Sequence, residues 1–158
     1  MIEKIISGGQ IGADVAGLRA AKRFGLATGG WIPKGFRTLL GRMPELGREF
    51  GVKETDQWQY PPRTAMNVRD SDATMRFATN WNSPGELLTA KECIRQGKDH
   101  FDVTIGPDGT TDTTPEKAAQ WAKENGIKTL NVAGNASEAI GPVVEAFVYA
   151  MLSILEES

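Results

Sequence analysis

Ile5-Ile6-Ser7-Gly8-Gly9-Gln10-Ile11-Gly12-Ala13-Asp14 decides how the rest of this chain is read. Ile2 to Ser7 is a short buried run of strand type, and after Gly12 the residues Ala13, Ala16, Ala20 and Phe24 fall on one side of a helix that Gly25 stops. A strand, a glycine-rich turn and a helix in that order aim backbone N–H groups and a helix dipole at one point, and bare glycines let a phosphate approach them. Gly8, Gly9, Gln10 and Gly12 are therefore candidate donors to a phosphate or another oxyanion. A tight turn that simply requires glycine is the alternative. The turn is neither Gly-x-Gly-x-x-Gly nor a P-loop, so neither dinucleotide binding nor ATP hydrolysis follows from its spacing. Asp14 lies in the first helical turn, where a carboxylate is favoured with or without a ligand.

Outward from this unit, extended and helical segments alternate. Leu26 to Trp31 is extended, Pro61-Pro62 opens a short helix ending near Arg69, and Ala73 to Thr79 is a strand. Ser83-Pro84-Gly85-Glu86 starts a helix to Gln96, Phe101 to Ile105 is extended, and Thr114-Pro115-Glu116 caps a helix that Gly126 ends. Ile127 to Val132 is the last strand, and the last helix runs from about Pro142. The alternation predicts an α/β domain of three layers, a mostly parallel sheet with helices on both faces, with ligands at the carboxyl ends of the strands. One domain over 1–158 is expected, with an irregular insertion at about 36–60 that has no clean period and would form a mobile flap.

The chain has 158 residues, 40% hydrophobic and 24% charged, with a formal charge of −2, which gives no general grip on nucleic acid or anionic lipid. Cys93 is the only cysteine and His100 the only histidine, so no internal disulfide and no ordinary zinc site is expected. Ile140 to Leu155 is broken by Glu145 and is too short to span a bilayer, and no leader pattern opens the chain, so a cytoplasmic location is expected. Val143, Val144, Phe147, Val148, Met151, Leu152, Ile154 and Leu155 cover more of the last helix than one core-facing stripe needs. That predicts a homodimer or a higher homo-oligomer.

Three further clusters carry polar chemistry. Gly29-Gly30-Trp31-Ile32-Pro33-Lys34-Gly35 displays one cation and one large ring on a stiff turn, suited to a flat phosphorylated ligand. Trp31 in the core with Lys34 in solvent is the plainer alternative. Asn67-Val68-Arg69-Asp70-Ser71-Asp72 gathers a guanidinium, two carboxylates and two neutral polar groups before a strand, partly explained by capping and a surface ion pair. Ser83-x-x-Glu86 has the spacing of a capping box, which would turn the Glu86 carboxylate onto the Ser83 amide; alternatively Glu86 acts as an acid or base beside a ligand. Magnesium on Asp14, Asp70 or Asp72 with ligand phosphates is a further expectation. Cys93 reads as a packed apolar group, and His100 has no partners for a serine or cysteine triad.

Four of these stretches together carry a resemblance: Ser7 to Asp14; Gly29-Gly30-Trp31 with Pro33-Lys34-Gly35; Asn67 to Thr74; and Leu130-Asn131-Val132-Ala133-Gly134. In this order they resemble the family named putative molybdenum carriers, a circularly permuted branch of the SLOG superfamily. The resemblance implies a Rossmann-like domain that binds a phosphorylated nucleotide-like ligand or a molybdopterin-type cofactor, in a superfamily of sensors and of enzymes that release a base from nucleoside monophosphates. With the residue readings above, the expected ligand contacts are Gly8, Gly9, Gln10, Gly12, Asp14, Gly29, Gly30, Trp31, Lys34, Gly35, Asn67, Arg69, Asp70, Ser71, Asp72, Ser83 and Gly85, and under the enzyme alternative Asp14 and Glu86 are the catalytic candidates. The chain departs from the family twice. Ile11 stands where a threonine is usual, and Ser83-Pro84-Gly85-Glu86 replaces a Ser-Gly-Gly-Thr turn.

Overall fold

The computed structural model describes residues 1–158. It begins with β1 (Lys4–Ser7), α1 (Ala13–Phe24) and β2 (Ala27–Gly29), and continues through β3 (Trp31–Ile32), β4 (Arg37–Thr38), β5 (Gly41–Arg42), α2 (Glu45–Phe50) and β6 (Lys53–Glu54). Then come α3 (Tyr60–Arg69), β7 (Ala73–Ala78), α4 (Pro84–Gln96), β8 (Asp99–Thr104), α5 (Pro115–Glu124), β9 (Thr129–Gly134) and α6 (Gly141–Glu157). The helix ends follow the punctuation of the sequence. Gly25 and Gly97 adopt left-handed φ values of 93° and 67° after α1 and α4, and the Thr114 hydroxyl accepts from Lys117 N at the start of α5.

Five strands form one parallel sheet in the order β2-β1-β9-β7-β8. Its pleat sorts the side chains. Met75, Phe77, Leu130 and Val132 enter an apolar core with α1, α5 and α6, whereas Thr74, Arg76 and Asn131 alternate with them on the side covered by α3 and α4. The expected three layers are present. One face is a hydrocarbon core and the other is polar, and all five strands point their carboxyl ends the same way.

Residues 36–60, which show no period in the sequence, are not irregular: they hold the β4–β5 hairpin, α2 and β6, which pairs with β3. Leu46, Phe50 and Val52 bury themselves with Val15, Leu18 and Ile32 in a second small core on the outer side of α1. These elements are too short to produce a readable repeat. The hairpin tip, Leu39 and Leu40, and Trp58 leave large apolar side chains exposed there.

The last helix also departs from expectation. Together with the turn before it, Glu138–Glu157 is long and apolar enough to cross a bilayer by length and composition. It lies between α1 and α5, and Val144, Phe147, Val148, Met151, Leu152 and Leu155 are buried while Val143 and Ile154 pack against the same core. All eight apolar residues are thus used within the chain, because a helix in the middle of its layer has neighbours on three sides. No apolar stripe is left over to argue for a partner.

Candidate functional site

A cavity of about 460 Å³ opens where the parallel strands end. Its walls come from the Gly8–Asp14 turn, the first half of α3 (Tyr60, Arg63, Thr64, Asn67), the first turns of α4 (Ser83 to Thr89), and Asn131, Ala133 and Gly134 of β9; Leu39 of the hairpin touches the rim. Helices that return antiparallel to the strands bring their N-terminal halves to this end, which is why α3 and α4 contribute their first residues.

The glycine turn meets the cavity differently from a bare phosphate cradle. Gly9 N donates to Ser7 Oγ (3.2 Å), Gln10 N to Asp14 Oδ2 (3.2 Å), and Ile11 N to Gln10 Oε1 (3.0 Å). The nest that an anion would enter is filled by the chain's own Asp14 carboxylate and Gln10 carboxamide. Gln10 Oε1 also accepts from Leu39 N (3.0 Å), tying the hairpin to the turn. The glycines make room for protein: a Cβ at Gly8 would overlap Arg63 Nη1, one at Gly9 would press on Ile32, and one at Gly12 would strike the backbone of Asn135 and Ser137.

Asp14 is buried, with Arg63 Nη1 3.6 Å from Oδ2, while the same Nη1 donates to Gly8 O at 2.6 Å. Burial pushes the Asp14 carboxyl up to about 6; Arg63 and the Gln10 amide pull the other way, and nearby Glu86 adds to the rise. Glu86 is buried too. Its Oε2 accepts from the Ser83 hydroxyl and from Asn135 Nδ2 (2.8 Å). The capping box expected from Ser-x-x-Glu is therefore made side chain to side chain, and the Ser83 hydroxyl caps no backbone amide of α4. The reason lies in Asn135, which pulls the carboxylate toward the end of β9.

Behind Glu86, Arg76 holds Asp102 through two bonds (Nε–Oδ1 2.8 Å, Nη2–Oδ2 2.6 Å) and donates Nη1 to Glu86 O at 2.8 Å. The Trp81 ring lies against its guanidinium. Partial burial works against the Asp102 charge, yet Arg76 and His100 hold its carboxyl below the usual range. His100 serves this network from β8 through an Nδ1 contact of 2.8 Å to Asp102.

Several residues singled out from sequence lie elsewhere. Asn67 lines the cavity, but its carboxamide is committed to Trp31, accepting from N (2.8 Å) and donating to O (3.0 Å). Arg69 ends α3, and Asp70, Ser71 and Asp72 link it to β7, which puts all four at the amino end of the sheet. There Arg69 pairs with Asp70, Asp70 accepts from Trp31 Nε1, Ser71 bonds backward to Asn67 O, and Asp72 accepts from Lys128 N and Thr129 N at the start of β9. Asp14 and these two aspartates thus stand at opposite ends and do not converge on one magnesium ion; no group of three His, Cys, Asp or Glu residues is arranged to hold a metal. Lys34 is exposed and away from the cavity. Gly29 and Gly30 carry the chain past β1, where a Cβ on Gly30 would overlap the Ser7 carbonyl, and Gly35 sits under Trp58. Of the predicted set, Gly8, Gln10, Asp14, Asn67, Ser83, Gly85 and Glu86 share the cavity.

Arg63, Tyr60 and Asn135 were not legible as site residues. The signal for the first two existed: Pro61-Pro62 marks a helix start, and a helix that starts between parallel strands starts at the carboxyl end. The cation that reaches the cavity is Arg63, where Lys34 and Arg69 were expected. Tyr60 lies between the guanidinium groups of Arg37 and Arg63.

Residues 5–155 match the circularly permutated YpsA SLOG family. The chain belongs to that family. Among solved structures, this SLOG chain is similar to the crystal structure of "Putative molybdenum carrier protein" from Syntrophus aciditrophicus SB, with 32% identity, a TM-score of 0.79, and 98% of this chain and 94% of that chain covered. No curated protein matches it. The SLOG assignment agrees with the parallel α/β layers and with the position of the cavity. The donor set does not fit direct ligation of a metal: Cys93 is buried near the C-terminal end of α4, outside the cavity lining, and the cavity offers two carboxylates with no histidine or thiolate beside them.

Proposed function

We propose that the cavity binds a phosphorylated, nucleotide-like small molecule and that the chain carries or senses it. The supporting observation is the cavity itself. It has the size of a small-ligand site, lies at the strand carboxyl ends, and is lined by donors that no protein group uses. Those donors differ from the ones the glycine turn suggests. They are the first-turn amides of α4 at Gly85 and Glu86, which Ser83 leaves uncapped, and the outer edge of the Arg63 guanidinium. A phosphate lies best between them. A molybdopterin-type cofactor meets the same description through its phosphate and ring, and the metal would then travel as cargo on the organic part, without protein ligands.

The test is native mass spectrometry of the purified protein, followed by thermal melting with nucleoside monophosphates. A retained or stabilising phosphorylated compound is expected; melting that ignores all of them removes the reading. A second reading, release of a base from a nucleoside monophosphate, is favoured by a buried Asp14 with its carboxyl near 6 beside Glu86, a setting suited to a general acid at neutral pH. Steady appearance of free base on chromatography, lost in Asp14→Asn, would select it.

A further inference from the structure

The inner half of the cavity has acceptors and few donors. Asp14 uses Oδ2 on Gln10 N, Glu86 uses Oε2 on Ser83 and Asn135, and neither Asp14 Oδ1 nor Glu86 Oε1 receives a hydrogen bond from the chain. Between them on β9 stands Asn131, only 3% exposed, whose Nδ2 donates to Thr74 Oγ1 (3.1 Å) and whose Oδ1 has no partner at all. A buried polar atom without a partner is costly, and natural structures rarely keep one without a use. Most neighbouring donors are spent; Gln10 Nε2 and the Arg63 nitrogens other than Nη1 are free. Asn67 is bound to the Trp31 backbone, Asn135 Nδ2 to Glu86 and Asn80 O, and the Thr89 hydroxyl to Gly85 O.

Resting on the phosphate-ligand reading above, we propose that this inner half recognises a guanine-type ring edge, in which a ring N–H and an exocyclic amino group lie side by side. Asp14 Oδ1, Glu86 Oε1 and Asn131 Oδ1 are its three acceptors. A guanine-type edge supplies three adjacent hydrogens, and the carbonyl oxygen that flanks its ring N–H has the free donors of Gln10 and Arg63 within the same cavity lining. A ribose diol supplies only two, one fewer than the acceptors present. Two carboxylates repel a phosphate, so the ring edge faces Asp14 Oδ1 and Glu86 Oε1 while the phosphate turns away from them, onto the free backbone amides of Gly85 and Glu86 and the Arg63 nitrogens that do not face Asp14.

Calorimetry at pH 7.5 with guanosine, inosine and adenosine monophosphates and ribose 5-phosphate tests this. Guanosine monophosphate is expected to bind at least about tenfold more tightly than inosine monophosphate, which lacks the amino group, and more tightly still than adenosine monophosphate. Glu86→Gln and Asn131→Leu are expected to shrink the guanosine-to-inosine gap; a gap that persists in variants that melt like the parent overturns the assignment. Equal binding of all four compounds overturns the ring edge and leaves the phosphate reading standing. Guanosine binding as tightly as its monophosphate supports the edge and overturns the phosphate reading. No binding by any of the compounds overturns both.

Discussion

The two arginine–aspartate pairs nearest Glu86 behave in opposite ways. In the Arg76–Asp102 pair the two side chains meet through two short bonds, Asp102 is 35% exposed, and its carboxyl is held low. In the Arg63–Asp14 pair the closest approach is 3.6 Å, Asp14 is 9% exposed, Arg63 spends its nearest nitrogen on Gly8 O, and the Asp14 carboxyl rises to about 6. The chemical groups are the same, so the difference lies first in how deeply each carboxylate is buried and then in how completely it is partnered. The first pair is finished by the protein and serves the fold. The second is left unfinished at the edge of a cavity, as expected of a group that waits for a ligand.

The largest effect that separates them is on stability. Arg76→Met leaves Asp102 with His100 alone and frees Glu86 O and the Trp81 face, so urea unfolding at pH 7 is expected to show a loss of about 3 kcal/mol, the low end for a buried pair because Asp102 is partly exposed. A loss below about 1 kcal/mol would mean that the pair is decorative.

The second effect is a pH dependence of opposite sign in the two pairs. Asp14 has a folded pKa near 6 against an ordinary 3.8, so the folded state binds more protons between these values and loses stability as pH rises from about 4 to about 6. Asp102 is shifted down, so its contribution is present above its ordinary pKa and is lost as pH falls. Asp14→Asn is therefore expected to match the parent near pH 4 and to gain on it by about 3 kcal/mol by pH 7. Parallel stability curves for the two proteins would show that Asp14 is not strained by its burial.

How far all this could be read in advance differs between fold and site. The alternating segments and their glycine stops give the parallel α/β layers directly, since local spacing carries that information. Thr74-Met75-Arg76-Phe77 even records in its period of two which sheet face is polar. The site was half legible. The turn from Gly8 to Asp14 was found, but not that its amides are filled by Asp14 and Gln10, because hydrogen-bond partners are set by three-dimensional packing. Asn67 to Asp72 looked like one cluster because its members are adjacent in sequence. A ten-residue helix ends inside that cluster, and its length separates Arg63 at one end of the sheet from Arg69 at the other.

A smaller effect sharpens the comparison at the cavity. Gly8→Ala must push the Arg63 guanidinium off Gly8 O and crowd the buried Asp14 Oδ2, at about 1–3 kcal/mol in stability. With Arg63 displaced, the Asp14 carboxyl is expected to titrate higher still, as followed by carbon-detected NMR; a downward move would put Arg63 outside the pair. The smallest effects belong to Arg69→Ala and Lys34→Ala. Both residues are exposed and distant from the cavity, and each variant is expected to stay within about 0.5 kcal/mol of the parent and to respond to the same ligands. A lost ligand response in either would return the site to the positions first suggested by sequence.

The strand order has a consequence for how the molecule is made. β9, residues 129–134, is the last strand to be synthesised and the middle one of the sheet. Until it emerges, β2–β1 and β7–β8 are separate two-stranded pieces, each with the edge that β9 will occupy still open. Closure therefore waits for more than four-fifths of the chain, and the slow step joins segments far apart in sequence. A nascent chain stalled before Thr129 would present two open edges and the uncovered apolar faces meant for α6, which makes it a client for chaperones and never a partly working domain.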